Sequence, residues 1–185
     1  MQNLQAKIFI FLSLLFYSIA APAETIQTVL VNEVVINKPI DEVFNYATTA
    51  DNWKQWHPNT FDTQGASDHS ATEGEEIVEL IKVGRIRVGK LFWTVTQHVE
   101  PTLWQINGVD QTGAAQFLIT YTFSTTEDHA THFRRELVYG LERRPLAVLF
   151  NRSFMEPYMR TTSKRAVNQF KAVQEAESVE LADTF

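Results

Sequence analysis

The sequence contains no cysteine among its 185 residues. This absence excludes disulfide bonds, a cysteine nucleophile and the cysteine that carries a lipoprotein anchor. The chain also has no run of basic residues, and its formal net charge is −6. An acidic balance of this kind argues against a nucleic-acid partner and against adsorption to anionic lipid. No internal repeat or low-complexity stretch is present, and the length is that of a single domain.

No apolar run is long enough to cross a membrane. The one near the N-terminus extends from Ile8 to Ile19, whereas a spanning helix needs about 20 residues. Lys7 precedes this run, and the small residues 20–23 follow it. These features predict a secretory signal peptide cleaved between Ala23 and Glu24. An uncleaved anchor is the alternative. Cleavage is the interpretation that we expect to hold, and it gives a periplasmic or secreted protein with no stable membrane anchor.

Residues 39–58 are the most informative stretch of the sequence. A β-branched run from Val29 to Asn37 leads into them and predicts a strand. Pro39 suits the first turn of a helix, because it lacks an N–H group that this turn would leave unpaired. The apolar face of this predicted helix consists of Ile40, Val43, Phe44 and Ala47. A second short helical segment follows, carrying Trp53 and Trp56.

The middle of the chain predicts a series of antiparallel strands with short polar connections. These strands cover residues 75–83, 90–99, 103–109, 116–124 and 131–141, with a further short strand near Phe61. In the second of them, apolar and polar residues alternate, which places His98 on the opposite face from Trp93. Such a meander forms a curved sheet that is covered on one face.

From Pro145 onward the apolar residues repeat with the period of a helix. The predicted buried stripe consists of Met155, Met159, Thr162, Ala166, Phe170 and Val173. Pro157 interrupts this pattern, so we expect a break or kink near residues 154–156. The residues from 178 onward are acidic and are predicted to form a frayed tail.

The order of these elements, together with the Pro39 helix over Asp41-Glu42-Val43-Phe44 and the turn formed by Trp53, Trp56 and Pro58, resembles the SRPBCC superfamily. This superfamily includes the START, polyketide-cyclase and Bet v 1-like proteins. The resemblance implies an α+β helix-grip fold, in which a curved antiparallel β-sheet wraps around a long C-terminal helix and two short helices follow the first strand. The predicted organisation is a signal peptide at 1–23, one domain at 24–177 and a flexible acidic tail at 178–185.

Two motifs in the sequence resemble a phosphate-binding loop and a metal site, and neither interpretation holds. Residues 84–90 resemble a phosphate-binding loop, but Leu91 replaces the required Ser or Thr and the segment leads into a strand rather than a helix. His129 and His132, with Asp128, lie on a turn that enters a strand, where their rings would not converge on a metal. We therefore predict neither a metal site nor a cofactor.

The candidate ligand-binding residues are aromatic side chains on the predicted sheet and helices, together with one arginine. They are Trp53, Trp56, Trp93, Trp104, Phe117, Tyr121, Phe133, Arg135, Tyr139, Phe154 and Tyr158. Arg135 shares a predicted face with Phe133 and Tyr139, where an unpaired charge would be costly. Either the alternation is shifted and Arg135 is solvated, or Arg135 binds a ligand carboxylate, a phosphate or a buried glutamate. His57 and Glu79 are further polar candidates.

Three functions from different classes are consistent with this sequence. The resemblance implies a protein that binds a hydrophobic or amphipathic, lipid-like small molecule in a cavity between the sheet and the C-terminal helix, without a cofactor, and the predicted signal peptide implies that this protein is exported. The first alternative is a polyketide cyclase/dehydratase-like enzyme, which requires an acid–base pair in that cavity, although the sequence assigns no catalytic residue. The second is an envelope interaction or stress protein with a filled core. The size and lining of the cavity distinguish them.

Overall fold

The structure, a computed structural model, describes residues 25–83, 86–142 and 145–182. In chain order its elements are β1 (Thr25–Ile36), α1 (Ile40–Thr48), a 3-10 turn (Ala50–Asn52), α2 (Trp53–Trp56), β2 (Thr60–Gly65), β3 (Glu76–Val83), β4 (Ile86–Val99), β5 (Leu103–Asp110), β6 (Ala115–Thr125), β7 (Thr131–Glu142), α3 (Pro145–Phe150), a π-helical turn (Asn151–Met155) and α4 (Glu156–Ala182). The predicted signal peptide at 1–23 and its cleavage site lie outside the described residues.

The seven strands form one antiparallel sheet in the order β1-β7-β6-β5-β4-β3-β2. Strands β2 to β7 follow one another as the predicted meander, and β1 completes the sheet by pairing with β7, where Leu30 lies opposite Leu137. Both of these residues are buried, because the concave face of the sheet is covered by α4. The predicted helix-grip architecture is thereby confirmed.

The first helix begins where the sequence predicts. Pro39 immediately precedes α1, and Asp41 and Glu42 place negative charge in its first turn, which favours the helix dipole. Phe44 is fully buried and its ring lies 5.1 Å from that of Phe123 on β6. This contact fixes α1 against one end of the sheet, and α2 follows directly with Trp53 and Trp56 buried.

Strand β4 differs from its prediction in two respects. It begins at Ile86 rather than at residue 90, so that Gly89 and Lys90 lie within a strand and the phosphate-loop interpretation stays rejected; Gly84 lies outside the described residues. The β4–β5 register also shifts between Val95 and Gln97, which brings His98 opposite the buried Trp104. This one-residue bulge turns His98 to the same face as Trp93, where its ring lies 5.4 Å from that of the buried Phe44, so the predicted position of His98 on the opposite face is wrong.

The C-terminal helical segment is interrupted at the predicted place. The π-helical turn Asn151–Met155 separates α3 from α4, and Pro157 lies in the first turn of α4, where a proline is tolerated. Along α4, Ala166, Val167 and Phe170 are buried. The Phe170 ring lies 4.8 Å from that of Phe133 on β7. The helix extends to Ala182, into the segment for which we predict a tail. None of the described helices combines the length and the apolar character that crossing a membrane requires.

Candidate ligand-binding cavity

A cavity of about 180 Å³ lies between the concave face of the sheet and α4. Its walls come from α2 and the residues after it, from strands β3, β4, β6 and β7, and from the π-helical turn and α4. The lining residues are Trp53, Trp56, His57, Asn59, Glu79, Ile81, Leu91, Trp93, Phe117, Ile119, Tyr121, Arg135, Leu137, Met155, Tyr158, Met159, Thr162 and Ser163. Most of these side chains are apolar or aromatic, as is usual for a small-molecule site.

The structure brings most of the candidate residues together at this cavity. The candidates that line it are Trp53, Trp56, Trp93, Phe117, Tyr121, Arg135 and Tyr158, together with His57 and Glu79. The four that do not line it are Trp104, Phe133, Tyr139 and Phe154. Trp104 lies behind the wall, where its Nε1 donates to the backbone oxygen of Ala71 at 2.8 Å. Phe133 belongs to the core beneath α4, and Phe154 points outward.

Arg135 is the cation of the cavity wall. Its side chain is buried, with only 2% of the residue exposed, so the alternative in which it is solvated is wrong. Its Nη1 donates to Ser163 Oγ on α4 at 2.8 Å. Its Nε is buried and has no hydrogen-bond partner among the described residues. A guanidinium remains charged in proteins. Arg135 therefore places a positive charge in a mainly apolar wall, with one N–H group that lacks an acceptor, and this arrangement is costly.

Glu79 is the buried carboxyl group of the same cavity. Its Oε1 accepts a short hydrogen bond from Thr60 Oγ1, and its Oε2 accepts one from Trp93 Nε1 at 2.9 Å. Burial raises the pKa of Glu79, while the two hydrogen bonds and the positive charge of Arg135 act in the opposite direction. The carboxyl group is therefore held in a fixed orientation and is easier to protonate than an exposed glutamate.

His57 completes a chain of polar groups with Thr60 and Glu79. Its Nδ1 lies 2.9 Å from Thr60 Oγ1 and 3.7 Å from Glu79 Oε1. Burial, together with the nearby cation of Arg135, lowers the pKa of His57 to about 3, so the ring is neutral near pH 7. Because the Thr60 hydroxyl donates to Glu79, it accepts from His57, which assigns the proton to Nδ1. The Nε2 atom then carries a lone pair.

One glycine preserves the shape of the wall. A Cβ atom on Gly108 of β5 would lie 2.2 Å from the ring of Trp93, much closer than real Cβ contacts. Gly108 therefore allows Trp93 to lie flat against the sheet, with its Nε1 directed to Glu79.

Thr60 and Ser163 are two polar residues of the site that the sequence interpretation missed, alongside Asn59 and several apolar lining residues. Thr60 lies at the start of a polar segment, and Ser163 lies beside the predicted stripe of α4 rather than on it. Ser163 Oγ accepts from both Arg135 and Asn32 Nδ2, and so joins α4 to two strands. No pattern in the sequence marks either residue, because their roles come from partners that are distant in the chain.

The other histidines stay apart from this site. His129 lies on the turn before β7 with a φ of 61°, and His132 lies 3.6 Å from Glu33 on β1. Over the ranges that the structure describes, no three His, Asp or Glu side chains come together as a group that could hold a metal ion.

The fold and the cavity together define a helix-grip protein of the SRPBCC superfamily. Residues 27–175 match the family described as polyketide cyclase / dehydrase and lipid transport, so the chain belongs to that family. The resemblance found in the sequence is thereby confirmed over most of the domain.

Known proteins of similar sequence and structure agree with this assignment. Penitrem biosynthesis cluster 1 protein I of Penicillium ochrochloron is 31% identical over 116 residues, which are 57% of this chain and 72% of the relative. A Staphylococcus aureus protein of unknown function superposes with a TM-score of 0.67 at 13% identity, over 84% of this chain and 98% of the other. Ara h 8.0201 superposes with a TM-score of 0.58 at 7% identity, over 81% and 99%. At such identities the two structures show the fold alone.

Proposed function

We propose that this protein binds an amphipathic small molecule whose polar oxygen atoms meet Arg135. The observation that carries this proposal is the unpaired Nε of Arg135 in a cavity lined mainly by apolar groups. A carboxylate or phosphate on the ligand would supply the missing acceptor, and a charge-assisted hydrogen bond would form. The aromatic and aliphatic walls would bury the rest of the molecule.

The volume of the cavity restricts the size of the buried part. About 180 Å³ is below the range of about 300–1,000 Å³ that is common for drug-sized ligands. It is close to the volume of about 150 Å³ at which an apolar cavity holds a benzene molecule. A single ring or a short alkyl chain fits, and a larger ligand would extend out of the cavity. A cavity of this size also argues against the alternative of a filled core.

We infer that the cavity opens beside a hydrogen bond that joins α4 to the α2–β2 connection. Tyr158 of α4 donates from its hydroxyl to Asn59 Oδ1 at 3.0 Å, and both residues line the cavity. Tyr158 is 37% exposed, so this bond lies at the boundary with solvent. Breaking it would separate α4 from the α2–β2 connection and admit a ligand.

The proposal also includes export. Residues 1–23 have the pattern of a signal peptide, and a periplasmic or secreted location follows from it. Mass spectrometry of the protein isolated from its host, after cell fractionation, tests this. A mature chain that begins at Glu24 is expected, and an intact N-terminus on cytoplasmic protein contradicts export.

A pair of ligands that differ only in the polar group tests the role of Arg135. Octanoate and octanol have the same chain length, and displacement of a fluorescent apolar probe measures the affinity of each. Octanoate is expected to bind about tenfold or more tightly, since hydrogen bonds to charged groups contribute roughly 1.5–3 kcal/mol. Native mass spectrometry of protein from its own host then identifies the natural ligand.

Variants at two adjacent arginines provide the control. Arg135→Met should remove the preference for octanoate, whereas Arg134→Met should keep it, because Arg134 pairs with Glu136 away from the cavity. Arg135→Lys keeps the positive charge and replaces the Met variant in this test if that variant does not fold. The preference of Arg135→Lys for octanoate over octanol should be smaller than that of the wild type. Equal affinity of the wild type for the two ligands, or a preference that Arg135→Met retains, contradicts the proposal.

An enzyme of the cyclase or dehydratase type is the second candidate, and the chain of His57, Thr60 and Glu79 favours it. His57 Nε2 could accept a proton from a bound substrate, while the Nδ1 proton moves to Thr60 and the Thr60 proton moves to Glu79. The raised pKa of Glu79 suits it to hold that proton. Arg135 would stabilise the enolate oxygen that forms at the same time.

Exchange of a carbon-bound proton tests this chemistry without knowledge of the substrate. Acetophenone, a single-ring ketone, is incubated with the protein in D₂O, and NMR follows deuterium entry at its methyl group. Faster exchange with the wild type, and loss of that effect in Glu79→Gln and in His57→Asn, would support a catalytic proton acceptor. Exchange at the rate of buffer alone, with acetophenone shown to bind, argues against the enzyme and leaves the binding proposal intact.

A further inference from the structure

The helix before the π-helical turn exposes a set of large apolar side chains that we call the α3 patch. It consists of Leu146, Leu149, Phe150 and Phe154, whose exposed fractions range from 53% to 80%. The rings of Phe150 and Phe154 stack at 6.1 Å, so the patch is continuous rather than a set of scattered residues. Neighbouring Ala147 and Val148 are partly covered, so one face of α3 contacts the protein and the other faces solvent.

The segment that carries the α3 patch includes a basic position, Arg152, whereas the chain as a whole is acidic. Overall the sequence has 22 acidic and 16 basic residues. Between residues 145 and 160 it has one acidic residue, Glu156, and two basic ones, Arg152 and Arg160, and Arg160 is paired with Glu156 at 2.8 Å. Arg152 is exposed and lies between Phe150 and Phe154 in the chain. Exposed apolar groups with basic neighbours are the combination that favours the interface of an anionic bilayer.

The position of the α3 patch relates it to the cavity. Met155 directly follows Phe154, and Met155, Tyr158 and Met159 all line the cavity. A surface that held the α3 patch would therefore lie next to the Tyr158–Asn59 contact at the cavity opening. The net charge of the chain predicts weak adsorption to anionic lipid, whereas the local charge beside this patch predicts attraction.

We propose that the α3 patch docks on the surface of an anionic lipid bilayer. Leu149, Phe150 and Phe154 enter the boundary between head groups and acyl chains, and Arg152 meets the lipid phosphates. Docking in this orientation presents the cavity opening to the membrane. The interaction does not require that the cavity ligand be a lipid, so it stands apart from the function proposed above.

Single-cysteine labelling locates the docking surface, and the absence of natural cysteine makes it specific. Leu149→Cys in the full chain carries a polarity-sensitive dye, and Phe92→Cys, an exposed position on the sheet, is the matched control. Vesicles of equal parts phosphatidylcholine and phosphatidylglycerol should shift the emission to the blue at position 149 and leave it unchanged at position 92. High salt should reduce this shift. No shift at 149, or equal shifts at both sites, overturns the proposal, even if the N-terminal apolar run itself binds vesicles.

Co-sedimentation with the same vesicles measures the contributions of individual residues. Phe150→Ser combined with Phe154→Ser should lower the partition constant about tenfold or more, and Arg152→Gln about fivefold. Phe92→Ser should have no effect. Binding that is equally strong on pure phosphatidylcholine contradicts the electrostatic part. A concentration-dependent dimer that the Phe150/Phe154 variant abolishes would assign the α3 patch to a second copy and overturn the proposal.

Discussion

At the scale of single residues, the cavity wall combines groups that are costly to bury. Arg135 and Glu79 are 2% and 4% exposed. A buried charged residue contributes no more to stability than an apolar residue of similar volume would, and often contributes less. Glu79 is satisfied by Thr60 and Trp93, whereas Arg135 retains an unpaired Nε. Titratable groups with strongly perturbed environments in a cleft are characteristic of functional sites. This cost is consistent with the ligand recognition by Arg135 that we propose.

The pH dependence of stability tests the environment of His57. Its pKa is lowered from 6.5 to about 3 in the folded protein, so below pH 6.5 the unfolded chain binds a proton that the folded one does not. This effect lowers the free energy of unfolding as pH falls from 6.5 toward 3. Glu79, whose pKa is raised above 4.5, acts in the opposite sense, because its contribution is lost as pH rises above 4.5. In the wild type, His57 and Glu79 therefore change the free energy of unfolding in opposite directions as pH rises.

The variant His57→Asn separates these two effects, since an amide can replace the donor to Thr60 without titrating. Urea unfolding at several pH values between 4.5 and 6.5 gives the free energy of unfolding of both proteins. The free energy of unfolding of the wild type minus that of the variant should increase with pH, by up to about 1.4 kcal/mol per pH unit. Parallel curves for the two proteins would show that His57 titrates normally when folded.

Residue types and their alternation predict part of this site but not all of it. The period of β7 places Arg135 among buried residues, and the structure confirms that position. The same pattern cannot show what Arg135 contacts, because Ser163 is 28 residues away in the chain. Thr60 and Glu79 are separated by 19 residues. Hydrogen-bond partners of this kind depend on strand register and helix rotation, which composition does not determine.

At the scale of elements, local irregularities decide which residues face the interior of the fold. The bulge in β4 turns His98 inward, and its trace in the sequence is the polar Gln97, which strict alternation would place on the same face as Trp93 and Val95. The break before α4 was predictable because Pro157 cannot lie deep within a helix. Its form, a π-helical turn at Asn151–Met155, was not predictable from that proline. A proline limits where a helix starts, whereas the turn also depends on packing against the sheet.

Asn151 joins this turn to the sheet, and its removal should loosen α3. Asn151 is buried, its Oδ1 accepts from the Tyr139 hydroxyl at 2.9 Å, and its Nδ2 donates to Thr28 Oγ1 at 3.3 Å. Asn151→Ala should lower the free energy of unfolding by about 1–3 kcal/mol, because a buried hydroxyl loses a partner. Hydrogen exchange should become faster in residues 145–155 and stay unchanged in the central strands. The exposed Ser153→Ala is the control, and equal exchange in all three proteins would show that Asn151 does not hold the turn.

At the scale of the whole molecule, the order of elements was the most predictable property. The periodicity of apolar residues, together with Pro39 and Pro145, predicts this order: a strand, two short helices, a meander and a long helix. The prediction works because each element depends mainly on nearby residues. The cavity is a property of the assembled fold. Whether aromatic residues fill a core or line a space depends on how closely α4 approaches the sheet. For this reason Trp93 and Phe117 line the cavity whereas Trp104 and Phe133, of similar type and spacing, do not.

Filling the cavity tests whether this space, rather than another surface, binds the ligand. Met159 lies on α4, is partly buried and lines the cavity, so Met159→Phe should place a ring in the space that a ligand would occupy. The affinity for octanoate should fall about tenfold or more, while the free energy of unfolding changes by less than about 1.5 kcal/mol. Met159→Leu, which nearly conserves volume, should bind as the wild type does. Octanoate at a hundredfold excess over its dissociation constant should add about 2.7 kcal/mol to the stability of the wild type. The same gain in Met159→Phe would mean that the ligand binds outside the cavity.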